Sequence, residues 1–302
     1  MYRPPEQLYP FESQWLNVAG NRMHFLDEGP RDAPIVLMVH GNPTWSFYYR
    51  NLVIALRDRY RCIVPDHIGC GLSDKPGADQ YPYTLERRIS DLDALMSHIQ
   101  PQTMVHLIVH DWGGMIGFGW AVERSEQIGN MVIGNTAAFP LPPEKKLPAA
   151  LWLVRNTKLG ALLVQGLNAF SGIAARVAFK KPVSAEVRNA YTGPYDSWDN
   201  RIAILRFVQD IPLKPADPGY NIVQMTESRL TEFTNKPCLL AWGEKDFVFD
   251  QHFLRQWKRL FPQAKVLEYP DCGHYIFEDG GPPLTQAISD FMDQNEHGIE
   301  RD

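Results

Sequence analysis

Asp111 is the residue of this 302-residue chain whose type and setting point most directly to chemistry. It follows an apolar run at 105–109 (VHLIV) and precedes a Trp-Gly-Gly sequence that can begin a helix. A strand, a tight turn and a helix in this order expose the turn residue as a nucleophile, which is usually serine. A serine attacking a saturated carbon would leave a stable ether, whereas a carboxylate leaves an ester that water can open or that can itself depart. The aspartate therefore predicts attack at a saturated carbon of a carbon–halogen bond, an epoxide or a strained lactone.

Two further loops carry a base and an acid that would serve Asp111. His274 lies between the last predicted strand and the last predicted helix, and Asp246 follows the preceding predicted strand. Open α/β sheets place their sites at these carboxyl ends of strands. A carboxylate bound to the imidazole would fix its tautomer and stabilise its protonated form. We therefore predict Asp111, Asp246 and His274 as catalytic residues, with Glu244 and Asp250 as neighbouring alternatives to Asp246.

Asn42 and Trp112 are predicted to bind the leaving group. Their side chains are hydrogen-bond donors without net charge, so they can stabilise a departing anion without protonating it. The backbone N–H groups of the same residues could also form an oxyanion hole. The alternatives are that Trp112 packs in the core and that Asn42 is a turn residue before Pro43. His40 and His110 flank the site, and we expect them to shape its loops.

Solid apolar runs alternate with helical patterns in the first and last parts of the chain. This alternation predicts an α/β fold with a mostly parallel sheet, because strands buried on both faces lack a polar side. A hairpin is predicted at 14–28, and the buried strands are predicted at 35–40, 62–66, 105–109, 131–133, 238–242 and 265–269.

A helix predicted at 83–99 has its apolar residues on one face. Thr84 is its expected cap, Arg87 and Arg88 are expected to face solvent, and Pro101 is expected to end it.

The alternation stops between residues 139 and 234, where the pattern is helical and nine prolines divide it into short pieces. We predict a core at 1–138 and 235–302 with an inserted helical cap at 139–234. Apolar residues of the cap could line a tunnel for alkyl chains, or could simply pack its helices together. They are Leu151, Trp152, Leu153, Val154, Leu159, Leu162, Leu163, Val164, Leu167 and Phe170.

The composition argues against several classes of protein. A net charge of −5 offers no basic surface for nucleic acid. The four cysteines lack paired spacing and are expected to be reduced thiols of a cytoplasmic protein. Cysteine and histidine show no metal-ligand spacing, so no metal or other cofactor is expected. There is no signal-peptide pattern at the start and no apolar stretch of membrane-spanning length; the nearest, 159–175, is interpreted as a buried helix or cap surface.

Taken together, these motifs resemble the haloalkane dehalogenase family of the α/β-hydrolase fold, from residue 24 to about residue 278. The matching motifs are HGNPT at 40–44, VHDWGG at 109–114, WGEKDF at 242–247 and GHY at 273–275. The resemblance implies that Asp111 is the nucleophile, His274 the base and Asp246 the acid, and that Asn42 and Trp112 bind the halide. One departure is Val109, where a small residue is usual.

Four stretches are similar to one branch of that family, the β-lactone decarboxylases of long-chain olefin biosynthesis. They are residues 44–52, 65–76, 194–198 and 207–212. This resemblance implies an apolar small-molecule substrate, a long-chain cis-β-lactone that is decarboxylated to a cis-alkene. It also implies an assembly with other olefin-pathway enzymes.

The leaving group separates the candidate reactions. A halide needs only hydrogen-bond donors, and so does the carboxylate released when a β-lactone opens at its alkyl carbon. An opening epoxide leaves as an alkoxide and needs a proton donor, for which Tyr191 and Tyr195 of the cap are candidates. These donors therefore suit a halide and a lactone carboxylate equally and an epoxide poorly. The resemblance to the β-lactone decarboxylases places lactone decarboxylation first, dehalogenation second and epoxide hydrolysis third. A non-catalytic ligand receptor comes last, because every catalytic role has a candidate residue.

Overall fold

The computed structural model describes residues 2–167, 170–172 and 177–296. Its strands are β1 (Gln14–Val18), β2 (Asn21–Glu28), β3 (Ile35–Val39), β4 (Arg61–Pro65), β5 (Val105–Asp111), β6 (Ile128–Thr136), β7 (Cys238–Gly243) and β8 (Lys265–Tyr269). They form one sheet in the order β1-β2-β4-β3-β5-β6-β7-β8. The β1–β2 and β2–β4 pairs are antiparallel and the other pairs are parallel.

Helices cover both faces of this sheet. They are α1 (Arg50–Leu56), α2 (Leu85–Ile99), α3 (Trp112–Ala121), α4 (Ala149–Asn156), α5 (Lys158–Leu167), α6 (Ala185–Thr192), α7 (Ile202–Gln209), α8 (Tyr220–Arg229), α9 (Gln251–Leu260), α10 (Ile276–Asp279) and α11 (Gly281–Glu296). Short 3₁₀ turns occupy Ser46–Tyr49, Val122–Gln127, Gly193–Tyr195, Asp199–Arg201 and Leu230–Phe233.

The predicted α/β fold is confirmed, since each predicted strand lies within or overlaps an observed one. Every residue of β3, β5, β6 and β7 is buried, which explains why these strands are mostly apolar. Two clusters of buried side chains pack on the opposite faces of the sheet. The four cysteines are buried free thiols.

Helix α2 has the predicted cap, but one of the two arginines expected to face solvent is buried. The Thr84 side chain accepts a hydrogen bond from the Arg87 backbone N–H and caps the helix. The prediction for Arg88 is wrong, because this side chain is buried and its Nη1 lies 3.0 Å from Asp210 Oδ2. The period of the apolar residues shows which side of a helix meets the sheet, but not that a distant segment covers the other side.

The described residues between β6 and β7 form helices and no strand. Some of their buried side chains, from α4, α5 and α7, form a third apolar cluster. We call this part, residues 137–237, the helical insertion; the division of the chain into a core and a cap stays a prediction. Of the stretch 159–175, residues 168–169 and 173–176 lie outside the described residues. Within the described ranges, no helix combines the length and the apolar character needed to cross a bilayer.

Candidate active site

Asp111 lies at the end of β5, in the turn that leads into α3. Its backbone has φ 53° and ψ −126°, a strained conformation of the kind that collects at functional sites. A Cβ at residue 113 would lie 1.8 Å from the Val39 carbonyl oxygen, so only glycine allows α3 to approach β3 this closely. The Asp111 side chain makes no capping bond to α3, and its Oδ1 accepts the Asn42 backbone N–H at 2.5 Å. Helix capping therefore does not account for this aspartate.

The departure at Val109 has a local explanation. Its Cγ1 lies 2.9 Å from the place where a Cβ of residue 117 would be. Gly117 in α3 thus supplies the space that a larger residue in β5 requires. The turn at Asp111 can therefore keep its shape with Val109 in place of a small residue, because Gly117 faces Val109.

His274 joins the two predicted carboxylates. Its Nδ1 donates to Asp246 Oδ2 at 2.8 Å, which leaves Nε2 towards Asp111 Oδ2 at 3.7 Å. The other oxygen of Asp246 accepts the Val248 backbone N–H at 2.7 Å, so this carboxylate is held on both sides. Of the alternatives, Glu244 is exposed and Asp250 caps α9. The structure therefore brings together the three residues that the sequence predicts as catalytic.

Burial and mutual charge set the ionisation of this group. Burial raises the pKa of Asp111, while the charge of His274 and the N–H groups of Asn42 and Trp112 oppose the increase. Burial alone would lower the pKa of His274, but the carboxylates of Asp246 and Asp111 outweigh it and raise that pKa above its usual value. The imidazolium is thus stabilised between two carboxylates.

Asn42 and Trp112 lie beside Asp111 as predicted. Asn42 Nδ2 donates one N–H to the Ile204 carbonyl at 3.1 Å, which fixes the amide orientation and leaves its second N–H for a ligand. Its Oδ1 is buried without a hydrogen-bond partner in the described part of the chain. The indole of Trp112 packs against Phe207, with ring centroids 5.3 Å apart. Both side chains line the same cavity as Asp111 and His274.

The two flanking histidines support the loops, in line with their expected role. His110 Nε2 donates to the His274 carbonyl at 2.7 Å, and burial lowers the pKa of His110 well below its usual value. His40 Nδ1 donates to the Gly41 carbonyl, and its Nε2 accepts the His67 backbone N–H at 3.1 Å. Neutral imidazoles thus join the end of β5 to the loop that carries His274, and the loop that carries Asn42 to the segment at His67.

The cavity has a volume of about 270 Å³ and is polar at Asp111 and His274 but otherwise mostly apolar. Six of the predicted tunnel residues line it: Leu151, Leu153, Val154, Leu163, Val164 and Phe170. The prediction is wrong for Trp152, Leu159, Leu162 and Leu167, which are 52% to 73% exposed. They lie on the outer faces of α4 and α5, because both helices have apolar residues on two sides. No group of three or more metal-binding side chains is found within the described ranges.

The two candidate proton donors lie outside this cavity. Tyr191 Oη donates to Glu278 Oε1 at 2.5 Å, and Tyr195 Oη donates to the Thr44 carbonyl at 3.3 Å. Neither residue lines the cavity, so the prediction that they could protonate an epoxide oxygen is wrong.

Sequence reasoning missed the role of α7. This helix contacts Asn42 through the Ile204 carbonyl and Trp112 through Phe207, and Asp210 after its last turn binds Arg88. The only signal was the stretch 207–212, which was noted for its resemblance and not for any chemistry.

A family model described as alpha/beta hydrolase fold matches residues 34–281. The chain is 52% identical to a cis-3-alkyl-4-alkyloxetan-2-one decarboxylase of Shewanella oneidensis over 96% of this chain and 91% of the relative. It is 47% identical to a decarboxylase of the same name from Xanthomonas campestris over 95% of this chain and 98% of the relative. It is 31% identical to haloalkane dehalogenase 2 of Mycobacterium bovis over 95% of this chain and 97% of the relative.

The fold also matches solved structures. The haloalkane dehalogenase DbeA of Bradyrhizobium elkani superposes with a TM-score of 0.86 at 24% identity, covering 95% of this chain and 99% of that chain.

Proposed function

The chain belongs to the α/β-hydrolase fold family, with relatives among β-lactone decarboxylases and haloalkane dehalogenases, and from this premise we propose that it converts cis-β-lactones with two alkyl chains into cis-alkenes and CO₂. The two decarboxylase relatives are more similar to it than the dehalogenase relative, at 52% and 47% against 31% identity.

The observation that carries this proposal over dehalogenation is this higher identity to the decarboxylases. The site agrees with it, because an aspartate nucleophile is paired with two uncharged donors in a mostly apolar cavity. Asp111 can attack a saturated carbon, and Asn42 and Trp112 can hold a carboxylate that leaves without a proton. The tyrosine hydroxyls that an epoxide would need are bound elsewhere. Apolar walls suit alkyl chains, since each buried CH₂ contributes about 0.8 kcal/mol.

The reaction takes two steps that involve Asp111. Its carboxylate attacks the alkyl carbon that carries the ring oxygen, and the C–O bond breaks to give an alkyl ester and a free carboxylate. That carboxylate then leaves as CO₂, its C–C bonding electrons form the alkene, and Asp111 departs as a carboxylate. Inversion in the first step followed by anti elimination converts a cis-lactone to a cis-alkene.

Haloalkane hydrolysis is the second candidate, favoured by the donor pair Asn42 and Trp112 next to Asp111. A halide would leave in place of the carboxylate and give an alkyl ester on Asp111. His274 would then deprotonate a water molecule that hydrolyses this ester. The two reactions differ in what they ask of His274, because decarboxylation consumes no water.

Three broader proposals accompany this function. The helical insertion acts as a cap over the cavity, which its helices α4, α5 and α7 help to line. The protein works in the cytoplasm, consistent with its four free thiols. An assembly with the enzymes that make the lactone is expected from the resemblance alone.

The experiment that tests the function is gas chromatography–mass spectrometry after giving the purified protein a cis-β-lactone with two long alkyl chains. A cis-alkene is expected from the unmodified protein and none from Asp111→Asn. The matched control is Asp250→Asn, since Asp250 is also an aspartate at a helix N-terminus and should be dispensable. Formation of the hydroxy acid without any alkene would overturn the proposal. Haloalkane hydrolysis would then be the favoured function, to be tested with bromoalkanes.

The same incubation in H₂¹⁸O separates the two chemistries. Solvent label should enter the Asp111 carboxylate only if an enzyme ester is hydrolysed. Mass spectrometry of the peptide that contains Asp111 should find no label after lactone turnover. Label there would contradict elimination from the ester.

A further inference from the structure

Arg88 is a buried cation that is incompletely satisfied. It projects from α2, is 1% exposed, and pairs through Nη1 with Asp210. Its Nε and Nη2 are buried without a hydrogen-bond partner in the part of the chain that the structure describes. Burying a guanidinium with free N–H groups is costly, and an apolar residue would often be more stable. The arginine at this position therefore calls for a reason other than stability.

Its neighbours connect it to the site of the leaving group. The guanidinium carbon lies 3.8 Å from the ring centroid of Phe207 and 5.6 Å from that of Trp112. Phe207 in turn contacts the Trp112 indole, which lines the cavity. Arg88 does not line the cavity, so any effect on a ligand passes through these rings and through its charge.

We propose that Arg88 is a positioning residue that strengthens anion binding at Asn42 and Trp112. The stacked guanidinium and Phe207 hold the indole in place. The cation beside the indole face also draws electron density from the ring, which makes its N–H a stronger donor. Its charge acts on an anion in the cavity through a medium of low dielectric constant, and Asp210 offsets part of it. The inference rests on the proposed anion site.

The test compares two ligands of nearly equal shape, octanoate and octanamide, by isothermal titration calorimetry. All proteins carry Asp111→Asn, which removes the repulsion by Asp111 and stands in for its neutral ester. The measured quantity is the ratio of the two dissociation constants. This ratio reports the preference for negative charge and does not depend on turnover.

Arg88→Met should reduce the preference for octanoate roughly tenfold, and Arg88→Lys should retain most of it. Asp210→Asn should increase the preference, because it removes the offsetting charge while keeping a side chain of similar shape. The matched control is Arg61→Met, since Arg61 is also ion-paired, with Asp27 at 2.7 Å, but at the opposite end of its strand from the site. It should leave the ratio unchanged.

The outcomes separate the two proposals. If the protein with intact Arg88 shows no preference for octanoate, the anion site itself fails, and with it the proposed function of Asn42 and Trp112. If that preference exists but survives Arg88→Met, only the inference about Arg88 fails. Equal weakening of both ligands would mean that Arg88 merely packs, and a decrease with Asp210→Asn would also overturn its electrostatic role.

Discussion

The position of His274 between Asp246 and Asp111 determines the pH at which it can accept a proton. Burial favours the neutral ring, whereas both carboxylates favour the charged ring and prevail. A base must be neutral, so a hydrolytic step that needs His274 is lost as the pH falls through the pKa that His274 has in the Asp111 ester, where the charge of Asp246 remains and that of Asp111 is gone. Elimination from the Asp111 ester has no such requirement.

Replacing Asp246 should therefore lower the pKa of His274. Asp246→Asn keeps an acceptor for Nδ1–H but removes the nearer charge, and Asp111→Asn removes the charge at 3.7 Å. We expect both variants to lower the pKa, Asp246→Asn by more, as measured by NMR titration of the His274 ring. Glu244→Gln, two residues from Asp246 and exposed, is the control and should change nothing. A pKa of His274 that is unchanged in Asp246→Asn would contradict the assigned pairing.

The residues found from the sequence share one property. Asp111, Asp246 and His274 each follow a strand, so the local pattern of strand and loop was enough to select them. Arg88 and Phe207 could not be selected in this way. Their relation to Trp112 exists only after α7 has packed against α2, and no local pattern records that contact.

At the scale of elements, β5 and α3 pack closely because Val109 in the strand faces Gly117 in the helix. Gly117→Ala would bring a Cβ within 2.9 Å of Val109 Cγ1. We expect this overpacking to reduce the free energy of unfolding by about 1–3 kcal/mol, as measured by urea denaturation.

The control for this prediction is Gly172→Ala, since a Cβ at this helical position would meet no atom of the described residues within 4 Å. It should leave stability unchanged or increase it slightly. In the double variant Val109→Ala/Gly117→Ala, the cost should be smaller than the sum of the single costs. Simple additivity would mean that the two residues do not share the space.

The arrangement of the helices also explains why the sequence predicted some of the cavity residues wrongly. Strands were found because burial on both faces leaves an unbroken apolar run. The helices α4 and α5 carry apolar residues on two sides, so composition could not tell Leu163, which lines the cavity, from Leu162, which is exposed. Distinguishing them requires knowing which side of each helix faces the cavity.

At the scale of the whole molecule, the helical insertion is bound directly to the loop that carries His274. Asp279, at the end of α10, is buried and accepts the backbone N–H of Gly273 at 2.7 Å. The same carboxylate accepts the N–H groups of Lys180 and Lys181 in the insertion. One side chain thus holds both the loop that carries His274 and a segment of the insertion next to Val177 and Ala178, which line the cavity.

Asp279→Asn should loosen both segments together. An amide has one acceptor oxygen, and its NH₂ group would face N–H donors, so we expect a loss of about 1–3 kcal/mol in the free energy of unfolding. Amide hydrogen exchange should accelerate at Gly273, Lys180 and Lys181, and alkene formation should fall through kcat more than KM.

The control is Asp217→Asn, which likewise loses an acceptor for two backbone N–H groups, those of Leu213 and Lys214. It should accelerate exchange there without affecting Gly273, because Asp217 makes no contact with the His274 loop in the described residues. Faster exchange at Lys180 with unchanged exchange at Gly273 in Asp279→Asn would show that the insertion and the base move independently.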